Sequence, residues 1–80
     1  MRKSFNLPPE DVWGFTLISP AVSEQITSLS ARQQDRLEAE GKFPKSTKIG
    51  PGRNGRKARV LQEIIEWNRA RIAERGEQAA

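Results

Sequence analysis

The sequence predicts a mainly α fold with a small β-hairpin, and three patterns carry that expectation. Two helix starts, Ser19-Pro20 before an apolar repeat and a Ser30/Gln33 capping box, stand close together with a tight turn between the short helices they open. A glycine-rich stretch, Gly50-Pro51-Gly52-Arg53-Asn54-Gly55, separates two short extended segments. A longer apolar stripe at helical spacing then runs toward the C-terminus. The 80 residues make one domain. A domain of that size buries only about 60% of the surface its unfolded chain exposes, so its stability is modest.

Taken in order, residues 1–14 read as an extended N-terminal arm. They combine Pro8-Pro9 and the acidic pair Glu10-Asp11 with isolated Phe5, Leu7, Val12 and Trp13. Such a segment frays unless something ties it down. Two ties are open: Trp13 and Phe15 folding back onto the core, or Phe5 and Leu7 docking on a neighbouring molecule. Residues 15–18 form a strand-like run into Ser19-Pro20, a helix start in which Ser caps the free N–H groups and Pro suits the first turn. Val22, Ile26 and Leu29 follow at i, i+4 and i+7, which predicts a helix over 20–27. Ser28-Leu29-Ser30 makes the turn. Ser30 with Gln33 then forms a capping box that opens a second helix over 31–40, with Leu37 toward the core and Gly41 supplying a left-handed end.

After Phe43-Pro44, the segments 46–49 and 56–60 flank the glycine-rich loop. Its Asn54-Gly55 pair is a strong hairpin signal, because both residues tolerate positive φ. Leu61, Ile64, Ile65, Trp67, Asn68 and Ile72 share one stripe and predict a third helix over 61–75, stopped by Gly76. The structured domain is therefore expected over 15–76, with a disordered tail at 77–80. Gly50, Gly52 and Gly55 also spell G-x-G-x-x-G. That dinucleotide fingerprint needs a strand before it, a helix after it and a βαβ sheet around it, and this chain has no room for one. The glycines are turn chemistry.

Absent residue types exclude whole chemistries. The chain has no cysteine, histidine or tyrosine. Disulfides, zinc-finger ligand sets, imidazole bases, Cys/His and Ser/His nucleophile pairs and a strand-cutting tyrosine are thereby excluded. A non-enzyme without metal, cofactor or small-molecule substrate is the expectation. No stretch approaches the roughly 18 consecutive apolar residues of a membrane span, and the N-terminus lacks a secretory h-region. A soluble, cytoplasmic protein is expected.

Charge points to a partner. The net charge is +4, yet residues 42–59 alone carry +7 with no acidic residue, which leaves −3 for the rest of the chain. A one-signed block on an acidic body is the footprint of a polyanion binder. A membrane surface is the poorer partner, since the block lacks the apolar helical face that interfacial binding requires. Duplex DNA is the expected ligand. Two short helices around a tight turn make a helix-turn-helix candidate, and such motifs read bases from the N-terminal half of the second helix. Arg32, Gln33 and Arg36 lie there and suit guanine and adenine edges. Asp35 beside them is repelled by phosphate unless it pairs with a neighbouring arginine or accepts from a cytosine amino group. Arg53, Asn54, Arg56, Lys57 and Arg59 are the candidate wing contacts, the tip pair suiting a narrow minor groove. Lys42, Lys45 and Lys48 are candidate phosphate neutralisers. With about five phosphates neutralised, the log-log salt slope is expected near −4 to −5.

The succession Leu17-Ile18-Ser19, Leu29-Ser30, Leu37, Glu40-Gly41-Lys42-Phe43-Pro44-Lys45, Lys48-Ile49-Gly50 and 64–67 resembles the AlpA-type and excisionase-type winged helix-turn-helix proteins, relatives of the MerR DNA-binding domain. The resemblance covers roughly residues 15–75 and implies a recognition helix over 31–40 and a wing over 47–59. It departs at Gln34, where the family usually has an apolar residue, at Asp35, often an aromatic there, and at Arg59, where an aromatic is usual. What it implies in function is a recombination directionality factor of a bacterium or phage. Such a factor binds repeated sites beside an attachment site, side by side with copies of itself, bends the DNA and helps an integrase excise a mobile element. A transcriptional activator of the same fold, and a protein-interaction module or anti-repressor using the basic wing on an acidic protein, are the competing readings.

Overall fold

In the computed structural model, which describes residues 7–50 and 56–79, two serines open the first two helices. Helix α1 is Pro20–Thr27; Ser19 Oγ accepts from the Val22 N–H at 3.2 Å and Pro20 fills the first turn. Helix α2 is Ala31–Ala39 and carries the full capping box. In it Ser30 Oγ accepts from Gln33 N at 3.2 Å and Gln33 Oε1 accepts from Ser30 N at 3.0 Å. Between them residues 28–30 form the turn, with Ser28 in the left-handed region at φ 68°. At the other end of α2, Gly41 takes φ 76°, and the N–H groups of Gly41 and Lys42 donate to the carbonyls of Glu38 and Leu37. That pair of bonds satisfies carbonyls the helix itself leaves open.

Two boundaries differ from the expectation. Residues 10–14 are not an extended arm: Glu10–Phe15 is a 3-10 helix that buries Trp13, whose indole N–H donates to the Pro8 carbonyl at 2.8 Å. Trp13 folds back onto the core, as one of the two open ties required, whereas Phe15 stays 75% exposed. The indole offers more apolar area than any other side chain nearby, and burying it outweighs the entropy of ordering the segment. Helix α3, Leu61–Ala79, runs through Gly76 rather than stopping there, so the tail expected at 77–80 is helical to Ala79. Glycine ends a helix when a left-handed turn follows; here Glu77, Gln78 and Ala79 are helix formers, and the glycine is merely a weak position.

The hairpin expected from the sequence is one part of a three-stranded antiparallel sheet. Strands β1 (Leu17–Ile18), β2 (Thr47–Lys48) and β3 (Lys57–Val60) lie in the order β1-β3-β2. Lys48 stands opposite Lys57 and Ile18 opposite Arg59. Ile49 N donates to Arg56 O at 2.8 Å and closes the ladder at the loop, whose residues 51–55 lie outside the described residues. On the helix side, Trp13, Leu61 and Ile65 form the apolar core with Ile18 and Ile26 against them, and Ile64 is fully buried. Asn68 Nδ2 on α3 donates to the Ile26 carbonyl, which satisfies the end of α1. Among the described residues no helix is long and apolar enough to cross a membrane.

Candidate nucleic-acid interface

The surface of α2 meets the sheet through a buried cation. Arg59 on β3 is only 1% exposed, although the sequence reading placed it on the DNA side of the wing. Alternation along a strand explains the correction. Lys57 and Arg59 point to one face of β3, the face that α2 covers, and Lys57 is at the open end while Arg59 is beneath the helix. Arg59 Nε donates to Gln34 Oε1 at 3.0 Å, Nη1 to Glu38 Oε1 and to the Pro44 carbonyl, both at 2.8 Å, and Nη2 to Asp35 Oδ1 at 3.2 Å. The guanidinium also lies 5.0 Å from the Phe43 ring centroid. A buried charge is tolerated only with this degree of pairing.

Gln34, fully buried on α2, completes the junction. Its Nε2 donates to the carbonyls of Pro20 and Leu29 at 3.2 and 2.9 Å, so one side chain ties the start of α1, the turn and β3 to α2. Glu38 is bound by Arg59 and by Ser46 Oγ at 3.4 Å. Burial pushes the Glu38 carboxyl up, but the hydrogen bonds from Arg59 and Ser46 and the charge of Arg59 outweigh it and hold the group below its ordinary value of 4.5. Phe43 packs edge-on against Trp67 at 4.9 Å, and Trp67 donates its indole N–H to the Lys42 carbonyl, so the segment leaving α2 is pinned to α3.

With Gln34 and the half-buried Leu37 and Glu38 turned inward, the helical period puts Arg32 and Arg36 on the outward stripe of α2. Both are exposed, one turn apart. Gln33 and Asp35 occupy the two flanks. Gln33 is exposed, but its Oε1 is held in the capping box, so in that rotamer only its NH2 group is offered outward. An adenine contact that needs donor and acceptor together would have to open the cap. Asp35, on the flank toward the sheet, accepts on the same Oδ1 from Lys57 Nζ at 2.8 Å and from Arg59. The carboxylate is thus neutralised by two cations.

The remaining basic residues collect around that bridge in part. Lys48 is exposed directly across the ladder from Lys57, and like charges in that position repel unless a counter-charge is near. Lys57 has Asp35; Lys48 has no ion-pair partner among the described residues. Lys45 lines, with Asp35, Glu38, Ala39 and Lys57, a shallow groove of about 300 Å³ between α2 and the strand. Arg56 is exposed at the loop end of β3. Lys42 lies apart, exposed beyond the end of α2 and 3.6 Å from Glu40. Arg53 and Asn54, the candidate wing tip, lie outside the described residues.

Sequence reasoning missed Gln34, Asp35 and Glu38 as one construction with Arg59. A signal was present. Position 34 falls in the middle of the inward face of α2, and strand positions 57 and 59 offer that face no apolar side chain, so polar must meet polar. Comparison with known proteins finds no matching family model, no matching characterised protein and no matching solved structure.

Proposed function

We propose that the chain is a winged helix-turn-helix protein that binds duplex DNA, with α2 as its reading helix and the β2–β3 hairpin as its wing. Its role on this reading is that of an excisionase-like recombination directionality factor. One observation supports the DNA-binding part: Asp35, on the flank of α2 beside the stripe that bears Arg32 and Arg36, is bound by Lys57, which stands opposite Lys48 in the sheet and shares a groove with Lys45. A helix bearing two arginines fits the major groove, and strands beside it follow the adjacent phosphates and minor groove. The recombination part rests on the sequence resemblance, carried chiefly by Glu40-Gly41-Lys42-Phe43-Pro44-Lys45 and Lys48-Ile49-Gly50.

On this reading Arg32 and Arg36 face base edges, Gln33 donates through its amide, Lys45, Lys48 and Arg56 neutralise phosphate, and Lys57 divides its charge between Asp35 and the DNA. Arg59 makes no contact with DNA and acts from inside. Protomers side by side extend a short site, and their summed contacts offset a bending cost of order 1–6 kcal/mol. The integrase is the protein partner in this scheme.

Gel-shift titration on duplex DNA spanning an attachment site tests it. A ladder of stepwise complexes is expected. With Lys45, Lys48 and Arg56 on phosphates and a share from Lys57, the log-log salt slope should be about −3 to −4, shallower than the −4 to −5 expected from about five phosphates. Arg36→Ala should cost about 1–3 kcal/mol at the specific site, whereas Lys48→Ala should weaken all sequences alike. A single complex confined to a promoter would replace excision by transcriptional control, and no binding to any duplex at low salt would end the DNA reading.

A further inference from the structure

We infer that Asp35 is a specificity-determining residue that reads the exocyclic amino group of a cytosine, and that the buried Arg59 is the positioning residue that holds it there; the inference rests on the DNA-binding reading above. A carboxylate on a DNA-facing helix is ordinarily a liability. Here the charge is answered by Lys57 at 2.8 Å and Arg59 at 3.2 Å, both on Oδ1. The other oxygen, Oδ2, accepts no hydrogen bond among the described residues, and the side chain is 46% exposed. What α2 presents on the sheet-side flank of the Arg32 and Arg36 stripe is therefore an acceptor whose charge is already compensated.

In the major groove only two groups donate, the N4 amino of cytosine and the N6 amino of adenine. Adenine offers its amino group beside the N7 acceptor, so it is matched by an amide that both donates and accepts. A bare acceptor matches cytosine. Its neighbours on the helix, Arg32 and Arg36, carry the fork that matches guanine O6 and N7. The helix surface thus favours a G·C-rich subsite, with one cytosine assigned to Asp35.

Arg59 makes this reading robust. Lys57 is 44% exposed and can swing to a phosphate when DNA arrives. Arg59 cannot leave, because Gln34, Glu38 and the Pro44 carbonyl hold the rest of its guanidinium. Asp35 keeps its orientation whichever way Lys57 turns.

The test is selection of bound duplexes from a randomised library by the full chain and by Asp35→Asn and Lys57→Met. Wild type is expected to enrich a site with a fixed cytosine, preferred over other bases on the order of 10- to 100-fold. Asp35→Asn gains a donor beside its acceptor, so that single position should change from cytosine to adenine while the rest of the site stays. Lys57→Met should bind more weakly overall yet keep the cytosine. An unchanged site with Asp35→Asn, or a uniform loss at every position, overturns the inference while leaving DNA binding intact. Enrichment of no sequence by wild type overturns the base-reading role of α2 itself.

Discussion

The two halves of the molecule are held together by opposite means. Around α1, α3 and the 3-10 helix, Trp13, Leu61, Ile64 and Ile65 exclude water in the ordinary way, with attraction that is non-directional and graded by area. Between α2 and β3 the buried contact is a guanidinium, a carboxamide and two carboxylates, whose attraction depends on distance and angle. The apolar half depends on close packing over area and prescribes no bonding angle between its side chains. The polar half depends on the one arrangement in which Arg59 meets Gln34, Asp35, Glu38 and the Pro44 carbonyl together, so it sets the spacing of α2 and β3 rather than adding much to stability. On the DNA-binding reading proposed above, a fixed distance between those two elements matters more than extra adhesion.

The largest expected effect breaks the polar half outright. Arg59→Ala leaves Glu38 and Gln34 with unanswered polar atoms beneath α2, and removing one partner of a buried pair costs about 3–5 kcal/mol. For a domain of this size each kcal/mol lowers the Tm by roughly 4–8 °C. Thermal melts followed by circular dichroism should show the drop. A loss below about 1 kcal/mol would mean that water replaces the guanidinium and that the junction is not a strut.

Conservative exchange sharpens the contrast. Arg59→Lys keeps the charge but offers a point donor in place of a fork that reaches Gln34, Asp35, Glu38 and Pro44, so unsatisfied groups should cost about 1–3 kcal/mol. Ile64→Val in the apolar half should cost about 0.5–1.5 kcal/mol. Urea titration of both variants gives the ranking, and a lysine variant more stable than the valine one would refute the claim that geometry governs the junction.

The same division decides what was legible in the sequence. Helix starts are local chemistry: Ser19, Ser30 and Gln33 bond residues three positions away, and α1 and α2 begin where those signals stand. The apolar stripe of α3 is equally local, up to its C-terminal end. The partners of Arg59 lie 15 to 25 residues away, and no window of sequence contains them. Arg59 therefore reads as one more wing cation in a run of seven, and its burial follows only once β3 is seen running under α2. Trp13 shows the same limit, since its place in the core depends on Leu61 and Ile65. For the candidate site, the outward positions of Arg32 and Arg36 follow from helical period and the capping bond of Gln33 from local spacing, whereas the neutralisation of Asp35 by Lys57 and Arg59 required the packed structure.

A smaller effect separates the halves by pH. In the folded chain Glu38 sits below 4.5, so the stability it contributes is complete above that ordinary value and is lost as pH falls through the lower, folded value. Denaturation midpoints should decline from about pH 4.5 downward. Glu38→Gln should start lower at neutral pH and show a shallower acid decline, whereas Ile64→Val should run parallel to wild type throughout. Equal acid slopes in Glu38→Gln and wild type would place the acid-sensitive contact elsewhere.

The smallest expected effect concerns a polar atom in the apolar half. Ser23 on α1 is fully buried, and its Oγ has no hydrogen-bond partner among the described residues. A hydroxyl in that position contributes desolvation cost without a bond, and alanine is the better helix former. Ser23→Ala should therefore leave stability unchanged or raise it by up to about 1 kcal/mol, read as a Tm increase of a few degrees. Gln34 is also polar and fully buried, but each of its amide groups is answered, so Gln34→Ala should destabilise instead. Burial of polarity is the same in both residues; only the bonding differs, and the signs of the two changes should differ with it. If both lose stability, a partner for Ser23 exists in solution, and the apolar half depends on directional bonding as the polar half does.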